Sequence, residues 1–253
     1  MLDGVKISVT PRVTRYILID FDNVTISTGF ISEDLQTLVT YVVNRLMEKA
    51  DFLVKVKSGE HIKVRLYGGW FDGNKTTRQA QDITAEIGAF PIHLKSPDRI
   101  PFEVDCERAD RMLSQPNEPL YCTYREVDFA PKLDIRRMYC CQKGTDVSEY
   151  LNKFSGCSTR CPSCKGRWGR PLLLGHVQKM VDAMIFCDLN FLLRDIDNKV
   201  ALVSSDADML PVLFQAEADK RKVYYLREMK NDGGAYAQYH TRLLGQYCKQ
   251  VSW

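Results

Sequence analysis

Apolar residues along the chain repeat at two spacings, one typical of buried strands and one typical of helices. Residues 16–20 form an apolar run that ends in Asp20, as expected of a parallel strand covered on both faces. Apolar residues between Leu35 and Leu46 recur at helical spacing behind Ser32, the predicted N-cap. The predicted strands are residues 16–20, 62–67, 89–94, 199–204 and 222–226, and the predicted helices are residues 35–46, 76–87, 176–194, 209–218 and a segment from about residue 235.

Strands and helices alternate on both sides of residues 96–170, where prolines and most of the nine cysteines are concentrated. The alternation predicts an α/β fold with a mostly parallel sheet flanked by helices. We therefore expect a single domain over residues 1–253, with residues 96–170 as a cysteine-rich insertion within it. Apolar and polar side chains alternate in residues 62–67, which predicts the second strand.

Composition leaves the class of partner open. The 253-residue chain has a net charge of +3, which permits a polyanionic substrate without requiring one. The N-terminus carries no basic and apolar leader, and the most apolar predicted helix is interrupted by Asp182 and Asp188. We therefore expect a cytoplasmic protein whose cysteines serve as thiols or metal ligands rather than in disulfides.

Acidic residues follow or open three of the predicted apolar elements. Asp20 ends the first strand, Asp206 and Asp208 follow the strand at residues 199–204, and Asp182 lies near the start of a helix. Because ligands bind beyond the carboxyl ends of parallel strands, these carboxylates should meet in one pocket. Oxygen ligands of this kind suit Mg²⁺ or Mn²⁺. The alternative for any single one of them is a helix cap or a solvated surface group.

Asp188 is expected to lie outside the shell of direct metal ligands. Six residues separate it from Asp182, which corresponds to about 120° around a helix and about 9 Å along it. The two carboxylates would therefore not hold one ion together, and we expect Asp188 to act from behind the ligands.

Three motifs together resemble the signatures of the NYN family of PIN-like nucleases. They are Asp20-x-x-Asn23, Lys179-x-x-Asp182 with Asp188 six residues on, and Ser204-Ser-Asp206-Ala-Asp208-Met-Leu-Pro211. The resemblance spans nearly the whole chain except the insertion. It implies a PIN-like fold and a Mg²⁺- or Mn²⁺-dependent nuclease that hydrolyses phosphodiester bonds, usually of RNA. We therefore expect an endoribonuclease.

The resemblance also implies roles for individual residues. The metal-binding acids of the family are matched by Asp20, Asp182, Asp206 and Asp208. The polar supports and the substrate contacts are matched by Asn23, Lys179, Ser204 and Ser205, and Asn23 and Asp188 count with the acids as catalytic. Family members often have glycine where this chain has Ser205.

The same acids are compatible with two other hypotheses of function. Asp20-Phe-Asp22-Asn23-Val24 also satisfies the opening motif of haloacid-dehalogenase-type phosphatases, in which Asp20 would be a nucleophile and Asp22 a general acid–base. That mechanism gives no reason for Asp182 and Asp188 in a later helix, whereas the nuclease hypothesis uses them. A third possibility is a catalytically inactive module that binds nucleic acid or a protein partner.

A cluster of cysteines in the insertion predicts structural zinc. Cys157, Cys161 and Cys164 have the close spacing that presents thiolates to a tetrahedral ion. Cys141 or Cys140, at the end of a predicted strand over residues 136–141, would supply the fourth ligand, with His176 as a further candidate. The alternative is a set of reduced thiols without metal.

Cations and aromatic residues near this cluster offer contacts to nucleic acid. Arg167 and Arg170 are expected to contact phosphates, and they lie among Arg160, Lys165 and Trp168. A solvated basic face is the alternative. Trp70 and Phe71 follow the second strand and suit either base stacking or, more simply, core packing. We expect Cys187 and Cys248 to be buried on apolar helix faces.

Overall fold

The structure is a computed structural model of the 253-residue chain. It describes residues 15–28, 34–53, 60–128, 174–178, 180–227 and 245–252. The chain divides into two compact units, one formed by residues 1–123 and 180–253 and the other by residues 124–179.

Eleven strands and five α-helices lie in the described residues. The strands are β1 Arg15–Asp20, β2 His61–Tyr67, β3 Phe71–Asp72, β4 Lys75–Thr76, β5 Ile92–Lys95, β6 Pro101–Arg108, β7 Tyr124–Asp128, β8 Leu174–Gln178, β9 Lys199–Val203, β10 Val223–Arg227 and β11 Cys248–Ser252. The helices are α1 Phe21–Thr28, α2 Leu35–Lys49, α3 Arg78–Ile87, α4 Val181–Leu192 and α5 Leu210–Ala218, with 3₁₀ turns at Asp51–Leu53 and Ala207–Met209.

The main sheet has seven strands in the order β11-β10-β9-β1-β2-β6-β5. Every neighbouring pair is parallel except β5 with β6, so one edge strand runs against the rest. The chain builds outward from β1 to β2 and β6 on one side, and returns to β9, β10 and β11 on the other. The predicted α/β fold with a mostly parallel sheet is therefore confirmed. The reversal of strand order between β1 and β9 opens a crevice at their carboxyl ends.

Helices cover the sheet on both faces around β1. Ile17 and Ile19 point into one core layer, which includes the apolar side of α2. Leu18 points to the opposite layer, which includes α4 and α5. All three side chains are fully buried because successive strand residues face opposite sides of the sheet. This burial explains why residues 17–19 include no polar side chain. Strand β1 ends at the next residue, Asp20.

The predicted boundaries of two helices were wrong. Asp34, not Ser32, caps α2: the Thr37 backbone N–H donates to Asp34 Oδ1 at 2.7 Å. Helix α4 begins at Val181 rather than at residue 176, because residues 174–178 form strand β8. Met180, just before α4, has a left-handed backbone with φ of 65°. An additional helix, α1, follows Asp20 directly.

The polar positions of strand β2 differ in their burial. Lys63 is exposed, but Arg65 and Tyr67 are buried on the same side of the strand. Their polar atoms are hydrogen-bonded to a buried carboxylate described below, which makes the burial of these side chains possible.

The segment after residue 96 contributes to the main sheet. Strand β6 lies between β2 and β5, so residues 96–123 belong to the same unit as β1. The predicted strand at residues 89–94 is β5 at Ile92–Lys95. Sequence periodicity missed β6 because its proline and its charged residues resemble those of the following loops.

The other unit contains one described pair of strands. Strands β7 and β8 run antiparallel, with Tyr124 opposite Gln178 and Asp128 opposite Leu174. The last strand of the chain, β11, occupies residues for which a helix was predicted, while residues 228–244 lie outside the described ranges. None of the described helices combines the length and the apolar character needed to cross a membrane.

Candidate metal centre at the carboxyl edge of the sheet

Four aspartates reach one edge of the sheet from three places in the chain. Asp20 is the last residue of β1, and Asp206 and Asp208 follow the adjacent strand β9. Asp182 is the second residue of α4. Parallel strands that end side by side bring their following residues to the same crevice, so the positions of Asp20, Asp206 and Asp208 are a direct result of strand order.

Asp20 is fully buried and only half of its carboxylate is hydrogen-bonded. Its Oδ2 accepts from Asn23 Nδ2 and from Ser204 Oγ, each at 2.7 Å. Its Oδ1 is buried without a hydrogen-bond partner among the described residues. Burial raises the pKa of Asp20 to about 6, although the two donors act in the opposite direction. A buried carboxylate oxygen of this kind needs a cation or a proton.

The loop after β9 holds Asp206 in a fixed orientation. The backbone N–H of Asp206 donates to Ser204 Oγ at 3.0 Å, and that of Asp208 donates to Asp206 Oδ1 at 2.9 Å. Asn23 Nδ2 also lies 3.4 Å from Asp206 Oδ2. One amide group therefore bridges Asp20 and Asp206, and one hydroxyl connects Asp20 to the turn that carries Asp206.

Asp182, Asp206 and Asp208 each place a carboxylate oxygen within 4.8 Å of the other two. The pKa of Asp182 is raised, first by burial and then by the negative charges of Asp206 and Asp208. Asp182 in turn helps to raise the pKa of Asp20. In the described part of the chain, no lysine, arginine or histidine forms an ion pair with any of these aspartates. We call Asp20, Asp182, Asp206 and Asp208 the acidic centre.

The donor atoms of the acidic centre fit a hard divalent cation. All of its charged donors are carboxylate oxygens, which Mg²⁺ and Mn²⁺ prefer over the nitrogen and sulfur ligands that select zinc or copper. The unpartnered Oδ1 of Asp20 is an available ligand atom. A cation there would also lower the repulsion among acids whose pKa values are now raised.

Asp188 lies apart from the acidic centre in a buried site of its own. Its Oδ2 accepts from Tyr67 OH at 2.7 Å and from Arg65 Nε at 3.0 Å. Its Oδ1 accepts from the Leu113 backbone N–H at 2.6 Å. Arg65 also bonds to Glu107 and to the carbonyl of Arg111. Both oxygens of Asp188 are already used by protein donors, which favours a structural role over the predicted catalytic one.

Asp22 had a predicted role only in the phosphatase alternative. Its Oδ1 accepts from Gln79 Nε2 at 2.7 Å and its Oδ2 from the Gly69 backbone N–H at 3.1 Å. Gly68 precedes that contact, and a Cβ there would lie 2.8 Å from the Trp70 ring. Asp22 therefore fixes α1 to the turn after β2. The Asp-x-Asp spacing indicated Asp22 as a candidate, but only the tertiary contacts show which groups its side chain bonds to.

The other predicted site residues fall into two groups. Ser204 is buried in the centre and Ser205 is half-buried beside it. Trp70 and Phe71 are buried, as core packing requires, and the Trp70 ring lies 5.9 Å from that of Phe21. Outside the described residues lie Lys179, Cys140, Cys141, Cys157, Arg160, Cys161, Cys164, Lys165, Arg167, Trp168 and Arg170.

Three further predictions concern single residues. His176 is on β8, in register with Glu126. Cys187 is exposed on α4, so the prediction that it is buried was wrong. Cys248 is buried, but on strand β11 rather than on a helix. Tyr225 was not among the predicted site residues, and its hydroxyl lies 3.4 Å from the carbonyl of Asp206. Nothing in the local sequence around Tyr225 distinguishes it from a core tyrosine.

Comparison with protein-family models, with curated proteins and with solved structures finds no match for this chain. What the chain does is therefore inferred from its own side chains.

Proposed function

We propose that this protein is a Mg²⁺- or Mn²⁺-dependent nuclease of the PIN-like NYN type, which hydrolyses phosphodiester bonds in single-stranded RNA. The observation that carries the proposal is the acidic centre: four aspartates at the point where strand order reverses, with no protein cation paired to them in the described residues and one buried oxygen unpartnered. An enzyme that acts on phosphodiesters needs positive charge beside a polyanion.

The residues of the centre have separate tasks in this proposal. Asp20, Asp182, Asp206 and Asp208 hold the cation, which when bound activates water and neutralises charge that develops on the phosphate. Asn23 and Ser204 fix Asp20 through its Oδ2, so that its Oδ1 stays available as a ligand. Because Asn23 also lies against Asp206, it sets the separation of the two carboxylates.

The position of Asp22 favours the nuclease over the phosphatase. A general acid–base must reach the leaving group and exchange a proton with it. Both oxygens of Asp22 instead accept hydrogen bonds, from Gln79 and from Gly69, that join α1 to helix α3 and to the turn after β2. Asp182 meanwhile lies with Asp206 and Asp208, where the phosphatase mechanism gives it no task.

RNA as the substrate and the zinc site in the insertion are further parts of the proposal. The resemblance to NYN nucleases supports RNA, and Arg167 and Arg170 would contact its phosphates. Zinc bound by Cys157, Cys161 and Cys164, with Cys141 as the fourth ligand, would order the segment that carries these arginines.

A substrate panel tests the proposal. Purified protein would be incubated with Mn²⁺ or Mg²⁺ and with labelled circular RNA, linear single-stranded RNA, linear single-stranded DNA and an aryl phosphate, each with and without chelator. We expect cleavage of both RNAs that chelator abolishes, and opening of the circle would identify an endonuclease. Phosphate release from the aryl ester, with a covalent phosphate trapped on Asp20, would instead support the phosphatase. Metal binding without any cleavage would support the inactive binding module.

A further inference from the structure

A second group of metal-ligand side chains lies on the open polar face of β2, β6 and β5. Strand register places His61 of β2 directly opposite Glu103 of β6, and Glu103 directly opposite His93 of β5. Directly opposed residues point to the same side of a sheet, so an imidazole flanks Glu103 on each side. Asp105 is two residues beyond Glu103 on the same strand and therefore shares its face.

Three of these side chains converge on a small space. His61 Nε2 lies 3.0 Å from Glu103 Oε1 and 3.6 Å from Asp105 Oδ2. One ligand atom from each of the three residues lies within 4.8 Å of the other two. The side chains of His61, Glu103 and Asp105 are 34%, 38% and 44% exposed, so the group is accessible to an ion from solvent while its backbone is held in paired strands.

The Asp105 carboxylate does not form an ion pair with the lysine directly opposite it on the neighbouring strand. Lys63 is directly opposite Asp105 in the β2–β6 register. No ion pair joins the two within the described chain, and Asp105 instead turns diagonally toward His61, the residue that Glu103 also contacts. One imidazole carries at most a single positive charge, whereas the two carboxylates carry two negative charges. A divalent cation between them would balance the group.

We propose that His61, Glu103 and Asp105 form a binding site for a transition-metal ion of the Zn²⁺ class, with His93 beside it as an additional imidazole ligand. Imidazole nitrogen combined with carboxylate oxygen suits zinc and its neighbours, and it distinguishes this group from the all-oxygen acidic centre. The site is separate from that centre: Asp20 is in register with Tyr67, and the six residues from His61 to Tyr67 span about 20 Å of strand.

A bound ion would connect β2 to β6 through side chains. Its ligands come from both strands of that pair, and His93 would extend the connection to the antiparallel edge strand β5. Zinc should therefore protect the backbone amides of β5 and β6 from hydrogen exchange, because opening of that edge would break metal–ligand bonds.

Titration of the full chain with Zn²⁺ alone tests the proposal. Wild-type protein and the variants His61→Asn, Glu103→Gln, Lys63→Gln and Asp206→Asn would be compared for the number of bound equivalents and their affinity. We expect His61→Asn and Glu103→Gln to weaken one equivalent by about a hundredfold or more, since each removes a direct ligand. Lys63→Gln, on the same face but not a ligand, and Asp206→Asn, in the acidic centre, should keep that equivalent.

Imidazole resonances of the wild-type chain provide a measurement that needs no variant. Nitrogen chemical shifts of His61 should move on addition of Zn²⁺ in the manner of direct ligation, and those of His93 should move with them if it is the fourth ligand. An unchanged His61 resonance at saturating Zn²⁺ would overturn the site. Identical zinc equivalents and affinities in wild type, His61→Asn and Glu103→Gln would overturn it independently.

Discussion

Helix α4 carries two aspartates, six residues apart, whose surroundings are opposite. Asp188 is fully buried, and Arg65, Tyr67 and the Leu113 backbone N–H donate to its two oxygens. Asp182 is half-buried beside Asp206 and Asp208, with no ion pair to a protein cation in the described residues. At Asp188 the fold supplies the positive charge of Arg65. At Asp182 it brings three carboxylates together, and no cation of the described residues pairs with them.

This difference separates a carboxylate that holds the fold together from carboxylates that are available for function. Burial of an acid is compatible with stability when protein donors use both oxygens, as they do at Asp188. At the acidic centre the pKa values of Asp20 and Asp182 are raised, which means that folding there works against ionisation. A group that folding disfavours in its charged form is a candidate for binding a cation from solvent.

The largest effect is expected when a member of the acidic centre loses its charge. Asp206→Asn keeps the shape of the side chain but removes a charged ligand, and it should lower metal-dependent RNA cleavage by at least about a thousandfold. Rates measured with Mn²⁺ under single-turnover conditions would check this. The exposed Asp219→Asn is a matched control that should retain activity. Full activity in Asp206→Asn would contradict a metal-binding role for the centre.

Removal of the charge of Asp188 should lower stability rather than activity. Asp188→Asn places an amide N–H against the donors of Arg65 and Tyr67 and leaves a buried guanidinium less compensated, so we expect about 3 to 4 kcal/mol of lost unfolding free energy. Urea unfolding would measure it. Cleavage per folded molecule should stay within about twofold of wild type, because Asp188 bonds to Arg65, Tyr67 and Leu113 rather than to a member of the acidic centre. A large loss of activity with intact stability would show that Asp188 belongs to the catalytic group.

Asp20 should make the metal-free protein less stable as pH rises. Its folded pKa of about 6 lies above its ordinary value of 3.8, so its stabilising contribution is complete below about pH 4 and is lost as pH rises through about 6. Asp20→Asn should therefore stabilise the metal-free protein at pH 7 by about 2 to 3 kcal/mol.

Thermal unfolding in chelator between pH 4 and pH 7 would check this expectation. The difference between wild type and Asp20→Asn should grow with pH, and addition of Mg²⁺ should stabilise the wild type but not the variant. A constant difference across this range would show that Asp20 does not carry the raised pKa.

The smallest effect concerns the start of α4, the helix that positions both acids. Met180 has φ of 65°, a left-handed conformation that a Cβ disfavours. Met180→Gly should be more stable than Met180→Ala by about 1 kcal/mol, since only glycine removes that cost. Chemical denaturation of the two variants would measure the difference. Equal stabilities would indicate that the left-handed turn before Asp182 is not retained.

Much of the fold could be predicted from the sequence because the relevant signals are local. The unbroken apolar run at residues 16–19 indicates a strand covered on both faces, and the stripe from Leu35 to Leu46 indicates an amphipathic helix. Boundaries were less accurate. Asp34 and Ser32 both suit an N-cap, and only the folded chain shows that Asp34 accepts the Thr37 N–H.

Local pattern could not place β6 or explain the buried face of β2. Pro101–Arg108 contains one proline, three acids and one cysteine, and its membership of the main sheet depends on pairing with β2 and β5. Arg65 and Tyr67 are two of the positions that alternate with apolar residues in β2. They are buried because Asp188 lies more than 120 residues away in sequence but adjacent to them in space.

The sequence by itself determined the types of most elements and the acids that stand at their ends, because periodicity and the position of polar residues are properties of short segments. It also indicated that Asp20, Asp182, Asp206 and Asp208 share an edge, since parallel strands direct their carboxyl ends the same way. Only the tertiary structure decided which acids have protein partners. Asp188 accepts a hydrogen bond from Arg65, and Asp22 accepts one from Gln79. Asp20 Oδ1 has no donor among the described residues. Sequence could not show these differences, because hydrogen bonds between distant segments depend on how the chain packs.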